Sequence, residues 1–479
     1  MSLKKQALSG VMWSLVQQFS TQGIAFIVSI ILARLLLPEE FGLIAMIGVF
    51  MGLGRVLSEA GLAQSLIRTT NPTDDDYTTV FYFNLTGSCI VYLIIFTTAP
   101  FIADFYHQPS LISLIRWYCS IFIINAFSSI QYTRLTKQML FKKELSITVP
   151  SLIISSVVGV TMAFNGYGVW SLVASAIAQS LSAAIQLWYR SDWEPTWTFN
   201  KEKFKYHFNY GYKLTLSGIL DNIFSNAYTI IIGKFFAPAQ VGFYNRADTL
   251  KQLPVSNISA VLTKVTFPLF AEIKNDDIRL KAAYKNIMQM VIFFVSPILL
   301  ILSAIAEPLF SFLFTEKWIP AVPYFQILCW NGILFPIHSY NLNILKVKGR
   351  SDLFLKLEII KKAMILVIIA VSFQFGIYGL LYGSVLTSVL AFFINTHYTG
   401  KFLNYNSLSQ LVDLLPAVFV GTISSGIVYG ADFLFKDFLV YDILRLITGC
   451  SLGALFYLSI AYAFKMTSLL ELIKIIKRQ

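Results

Sequence analysis

Four cations sit inside long apolar stretches where a plain membrane helix would carry none. Arg55 lies in "VFMGLGRVLSEAGL", Arg116 in "SLISLIRWYCSIFI", and Arg246 and Lys251 share "VGFYNRADTLKQLP". A cation at the bilayer centre costs at least about 2.5–3.5 kcal/mol on insertion scales, so it faces a wet cavity, pairs with an acid, or stretches to the head groups. The chemistry open to such residues is anion binding. Arginine can hold phosphate oxygens through two parallel hydrogen bonds, and lysine acts as a point charge. The structural alternative pairs them with Glu59, Asp221 and Asp248; Asp248 and Lys251, three residues apart, suit an intrahelical pair. Asp221 is the best candidate for a proton or sodium site, with Glu59 and Asp248 as further candidates and a structural hydrogen bond as its alternative. Lys264, Lys356 and Arg445 lie nearer helix ends, where snorkelling explains them. The four cysteines lie in apolar runs and the four histidines are scattered. Neither set has metal-ligand spacing, and no cofactor is expected.

Residues of this kind need membrane helices to hold them. The chain has 479 residues, 56% hydrophobic and 13% charged, with a mean hydropathy of +0.67. Soluble domains carry about 25% charged residues. Apolar runs of bilayer length recur throughout, at about 10–36, 41–65, 79–104, 109–133, 147–165, 168–189, 213–233, 241–269, 285–307, 320–344, 353–374, 377–398, 410–430 and 438–463. They lack the alternation of barrel strands, so the expected fold is an all-α integral membrane protein of about fourteen transmembrane helices. The opening "MSLKKQALSG" leads into a run too long for a signal peptide, and we read it as a retained helix.

Charge orients the helices. The outer connections hold only Lys234, Lys317 and Lys436, and the other inter-span lysines and arginines fall on the opposite side. The positive-inside rule then places both termini in the cytoplasm of a bacterial inner membrane protein. The net charge of +12 is read as this bias, with no nucleic acid partner. "TFNKEKFKYHFNYGYK" at 198–213 mixes aromatics and lysines like an interfacial segment, and "SLLELIKIIKRQ" at the end has the same character; plain juxtamembrane charge explains both equally well.

The sequence also repeats. "IILARLLLPEEFGL" and "IIIGKFFAPAQVGF" align at an offset of 200, with Pro38 against Pro238, Gly42 against Gly242 and Arg34 against Lys234. Six helices separate the copies, so both have the same orientation, as in transporters built from parallel repeats.

"LARLLLPEEFGL", "LSEAGLAQSLIR", "VGFYNRADTLKQLP" and "VTFPLFAEI" resemble the Wzx-type oligosaccharide flippases, polysaccharide transporters of the multidrug/oligosaccharidyl-lipid/polysaccharide superfamily. The likeness covers essentially the whole chain. It implies two pseudo-symmetric six-helix lobes facing each other in a V, plus two extra helices. The boundaries are an N-terminal lobe at 1–195, a cytoplasmic interfacial linker at 196–212, a C-terminal lobe at 213–400, and the last two helices with the tail at 401–479. The implied substrate is an oligosaccharide on undecaprenyl diphosphate, serving O-antigen, capsule or exopolysaccharide. Membrane lipids, a polysaccharide polymerase and chain-length proteins are the partners. Arg55, Arg116, Arg246 and Lys251 would then bind the diphosphate and sugar. A drug/cation antiporter is the alternative within the superfamily. Some such relatives keep an acid in the first helix, where this chain has Gln17, Gln18 and Gln22. An enzyme is not expected, because the outer loops are short and no catalytic constellation is evident.

Overall fold

A computed structural model describes residues 3–439 and 441–477. Among them it contains twenty α-helices and no strand. The first ten are α1 (Leu3–Leu35), α2 (Pro38–Glu59), α3 (Leu62–Arg68), α4 (Asp74–Phe105), α5 (Leu111–Tyr118), α6 (Ile121–Lys137), α7 (Phe141–Phe164), α8 (Val169–Tyr189), α9 (Lys201–Ser225) and α10 (Ala227–Phe235). The rest are α11 (Pro238–Glu272), α12 (Asp277–Ala304), α13 (Ala306–Phe314), α14 (Val322–Ile333), α15 (Phe335–Val347), α16 (Ser351–Ser372), α17 (Gly376–Leu403), α18 (Ser407–Phe435), α19 (Asp442–Ala463) and α20 (Thr467–Lys477).

Every apolar segment read from the sequence coincides with one helix or with two consecutive ones. The broken segments have local causes. α2 ends where Ala60 and Gly61 both take left-handed backbone, at φ 42° and 66°. α14 gives way to α15 just before Pro336, which has no N–H to continue a ladder. Ten helical segments among the described residues are long and apolar enough to cross a membrane; one of them, the 53-residue Ser351–Leu403, is α16 and α17 joined by a short 3₁₀ turn. α9–α10, α11 and α14–α15 lie outside that set, and α11 carries Arg246, Asp248 and Lys251. The protein is an all-α, multi-pass membrane protein.

Two compact units divide the chain, Met1–Gly242 and Phe243–Gln479. The repeat assigns α9 and α10 to the second copy, yet by packing they belong to the first unit. In that unit α7 and α8 approach through small residues. Ser155 Oγ and Ser175 Oγ share a 2.9 Å hydrogen bond, and a Cβ on Gly159 would stand 2.9 Å from the Ser175 Cβ. Near the start of α4, Leu62, Leu66, Val80, Phe81 and Ile130 pack around Trp193.

Pro38 and Gly42 open α2 as Pro238 and Gly242 open α11, and the two first turns cross in the first unit. A Cβ added at Gly42 would collide with the Pro238 carbonyl, and one at Gly242 with the Pro38 carbonyl. The reciprocity extends to the next atoms: the added Cβ atoms would lie 3.2 Å from the Gly242 nitrogen and 3.3 Å from the Gly42 nitrogen. Pro38–Gly42 and Pro238–Gly242, 200 positions apart in sequence, thus make reciprocal contacts. Gly61 and Gly211 make a second close approach, where a Cβ on Gly61 would lie 2.7 Å from the Gly211 carbonyl oxygen.

The second unit is built on α12 against α18, with Ile301, Ala304, Ile305 and Val428 packed together. Phe293, Val420, Tyr457 and Ala461 form a further cluster, and Leu469 and Leu472 of α20 pack on it. The described C-terminal segment is therefore a helix docked on its own unit by its apolar face.

Candidate functional site

In the first unit Arg55 lies three residues after a near-contact of helices: Gly52 sits where a Cβ would overlap the Asn222 amide. Two residues on, Gly54 lets the Phe122 ring lie against α2. Arg55 and Glu59, one turn apart, are both exposed and line the mouth of a small polar pocket formed by α2, α4 and α6. Its floor is Ser58, Asn84 and Ser88, all buried. Arg55 is therefore exposed at the mouth, with the Ser58 hydroxyl of its own helix and the Asn84 amide of α4 lining the pocket behind it.

Arg116 is placed differently. It is half-buried, its guanidinium lies 4.4 Å from the Phe96 ring centroid, and its Nε donates to the Phe96 carbonyl at 3.4 Å. The side chain braces α5 against α4. Asp221, exposed on α9, accepts a long 3.5 Å hydrogen bond from Ser217 Oγ.

In the second unit both sequence-selected cations are buried. Arg246 is 8% exposed, with its guanidinium 5.0 Å from the Phe314 ring and 5.2 Å from the Trp318 ring. A desolvated cation over an aromatic face gains about 2 kcal/mol. Lys251 is 4% exposed and donates to Asp248 Oδ1 at 2.6 Å. Its aliphatic stem lies on Gly332, where an added Cβ would come within 3.1 Å of the Lys251 Cδ. The intrahelical pair read from the sequence is thus formed. Of the four cations, Arg55 alone is exposed; Arg116 and Arg246 lie on aromatic rings, and Lys251 is paired.

One constellation escaped the sequence. His207 Nδ1 lies 2.8 Å from Ser65 Oγ and Nε2 lies 3.1 Å from Asp76 Oδ1. Lys203 Nζ donates to the other carboxylate oxygen at 3.1 Å. With Asp76 ionised, the Nε2–H donates to it and Nδ1 accepts the Ser65 proton. The order serine, histidine, aspartate is that of a hydrolytic triad, but Ser65, His207 and Asp76 are 3%, 0% and 1% exposed. No reacting group reaches them. They clasp α9 to α3 and to the start of α4. Burial holds the His207 imidazole below the ordinary histidine range, against the opposing pull of Asp76. The partners are 142 and 131 residues from His207 in sequence, so no spacing announces them. Asn84 and Asn125, which line the Arg55 pocket, were missed as well: each is a neutral amide within an apolar span, a pattern too common to single them out.

Residues 31–323, more than half of the chain, match the family described as polysaccharide biosynthesis proteins. The chain belongs to that family. All five sequence-selected residues, from Arg55 to Lys251, fall within the matched segment. The chain is 26% identical over 354 residues to the teichuronic acid biosynthesis protein TuaB of Bacillus subtilis, covering 74% of this chain and 73% of TuaB. It is 25% identical over 407 residues to the lipopolysaccharide biosynthesis protein WzxC of Escherichia coli, covering 82% of each chain. Among solved structures, the fold matches an inward-closed lipid II flippase MurJ at a TM-score of 0.73, with 11% identity, over 95% of this chain and 99% of that one. An inward-facing MATE-family multidrug resistance transporter of the same superfamily matches at 0.59, with 16% identity, over 82% and 99%. At these identities the structural likeness is one of fold. The Wzx-type resemblance of the sequence agrees with the family so identified.

Proposed function

We propose that this protein is a transporter that flips undecaprenyl-diphosphate-linked oligosaccharide repeat units from the cytoplasmic to the outer leaflet by alternating access. The observation that carries the reading is Arg55: an exposed guanidinium on a membrane helix, at the mouth of a polar pocket, in a family of polysaccharide biosynthesis proteins. A lipid-linked sugar carries a diphosphate that cannot cross hydrocarbon unaided, and arginine is suited to holding it. The relatives' names, teichuronic acid and lipopolysaccharide biosynthesis, support a polymer-precursor substrate. The membrane is the bacterial inner membrane, with both termini cytoplasmic. Polymerase and chain-length proteins receive the flipped unit.

In this reading Arg55 is the principal diphosphate contact. Arg116, Arg246 and Lys251 contribute by holding their helices, and join substrate binding only if transport rearranges them. Asp221 is the ion-coupling group. The protein is not an enzyme. The test is replacement of the flippase in a strain lacking its own, with surface polymer as the readout. Restored polymer supports the reading; a protein present at normal abundance with no polymer, across strains of differing repeat unit, rejects it.

A further inference from the structure

The pocket behind Arg55 has a hydrogen-bonding pattern that selects its ligand. Asn84 Nδ2 donates to Ser129 Oγ at 3.3 Å, and Ser129 Oγ donates in turn to the Ala126 carbonyl at 3.2 Å. The Ser129 proton being committed, Ser129 can only accept from Asn84, which fixes the orientation of the amide. Asn84 Oδ1 is then left buried with no hydrogen-bond partner among the described residues, and Ser58 Oγ is in the same state. Both residues are more than nine-tenths buried. Groups of this kind are normally satisfied.

Three ligand classes can be compared at this point. A phosphate oxygen only accepts, so it cannot satisfy Asn84 Oδ1. A bare cation suits those oxygens but meets Arg55. A hydroxyl group both donates and accepts. It can donate to Asn84 Oδ1 or Glu59 and accept from Arg55 or Ser58. The cavity volume of about 40 Å³ admits a hydroxyl and the carbon bearing it. The Phe122 ring supplies an apolar wall, as a carbohydrate's C–H face requires.

We propose that this pocket is a carbohydrate-hydroxyl subsite, which takes a hydroxyl of the sugar bonded directly to the diphosphate while Arg55 holds the diphosphate at its mouth. The assignment rests on the flippase reading and adds a place where the first sugar is recognised. Asn84 is its specificity-determining residue.

The experiment compares two ligands on the purified full-length protein in detergent: farnesyl diphosphate, which has no sugar, and an undecaprenyl-diphosphate repeat unit extracted from a strain that the protein complements. Wild type should bind the saccharide-bearing ligand at least about tenfold tighter, and Asn84→Leu should close most of that gap. Ser58→Ala, which removes one hydroxyl and little volume, should reduce the gap by about fivefold, the scale of one neutral hydrogen bond. Farnesyl diphosphate binding should be unchanged in both variants. An unchanged gap in Ser58→Ala and Asn84→Leu overturns the subsite, as does a parallel loss of both ligands in Ser58→Ala. Wild type that binds both ligands equally also overturns the subsite but leaves the flippase reading standing. Wild type that binds neither overturns both.

Discussion

Gly42 and Gly242 oppose each other at a crossing where a methyl group on either would run into the main chain of the other helix. The contact is reciprocal, with each glycine against the proline carbonyl that opens the other helix. Gly42→Ala or Gly242→Ala should lower the thermal unfolding temperature in detergent, since overpacking costs about 1–3 kcal/mol. Gly48→Ala, on the same helix but with nothing within 4 Å of its added Cβ, should be neutral or slightly stabilising. Equal melting of the three variants would count against the crossing.

Arg55 and Arg246 should separate on mutation. Arg55→Ala removes an exposed side chain, so abundance in the membrane should stay at wild-type level while surface polymer is lost. Arg55→Lys should restore polymer only in part, because the two-pronged contact is gone. Arg246→Ala removes a cation packed on Phe314 and Trp318 and should reduce abundance. Immunoblots of membranes beside polymer staining make the comparison. Arg246→Ala at full abundance without polymer would move Arg246 into the binding site.

Lys251 and Asp248 form a pair whose removal can be tested as a pair. Lys251→Met leaves the Asp248 carboxylate without its partner and should destabilise the second unit. Adding Asp248→Asn should recover abundance, since the uncompensated charge is then gone. If the double variant is abundant but transports nothing, Lys251 acts on substrate as well.

The fold was legible in the sequence to the extent that physics acts locally. Apolar runs of bilayer length forced helices, and Pro38, Gly42 and their counterparts marked a turn that recurs. The breaks were less legible. Ala60 at positive φ is no glycine, and only the approach of Gly211 to Gly61 shows why the chain turns there. At the candidate site, charge identified Arg55 but also Arg116 and Arg246, whose aromatic partners lie 20 to 72 residues away. The amides Asn84 and Asn125 passed unnoticed because a neutral polar residue in an apolar span is common, and only the pocket distinguishes these two.

The clasp of His207 to Ser65 and Asp76 should weaken in acid. The folded imidazole is held below its unfolded value, so the unfolded form binds the extra proton more readily. Its contribution is therefore present above the unfolded value, about 6.5, and falls as pH drops through and below it. Hydrogen exchange of the α9 amides should be faster at pH 5 than at pH 7.5 after correction for intrinsic rates. His207→Ala should be fast at both. Protection that is independent of pH in wild type would remove His207 from that role.

The central claim is transbilayer movement of a lipid-linked saccharide, and reconstitution tests it most directly. Purified protein is placed in liposomes containing a fluorescent undecaprenyl-diphosphate oligosaccharide, and a membrane-impermeant reagent quenches the outer leaflet. The account predicts that wild type exposes nearly the whole lipid pool to quencher, whereas Arg55→Ala and empty liposomes expose about half. Quenching that stops at half with wild type, under proton and sodium gradients of either sign, would contradict it.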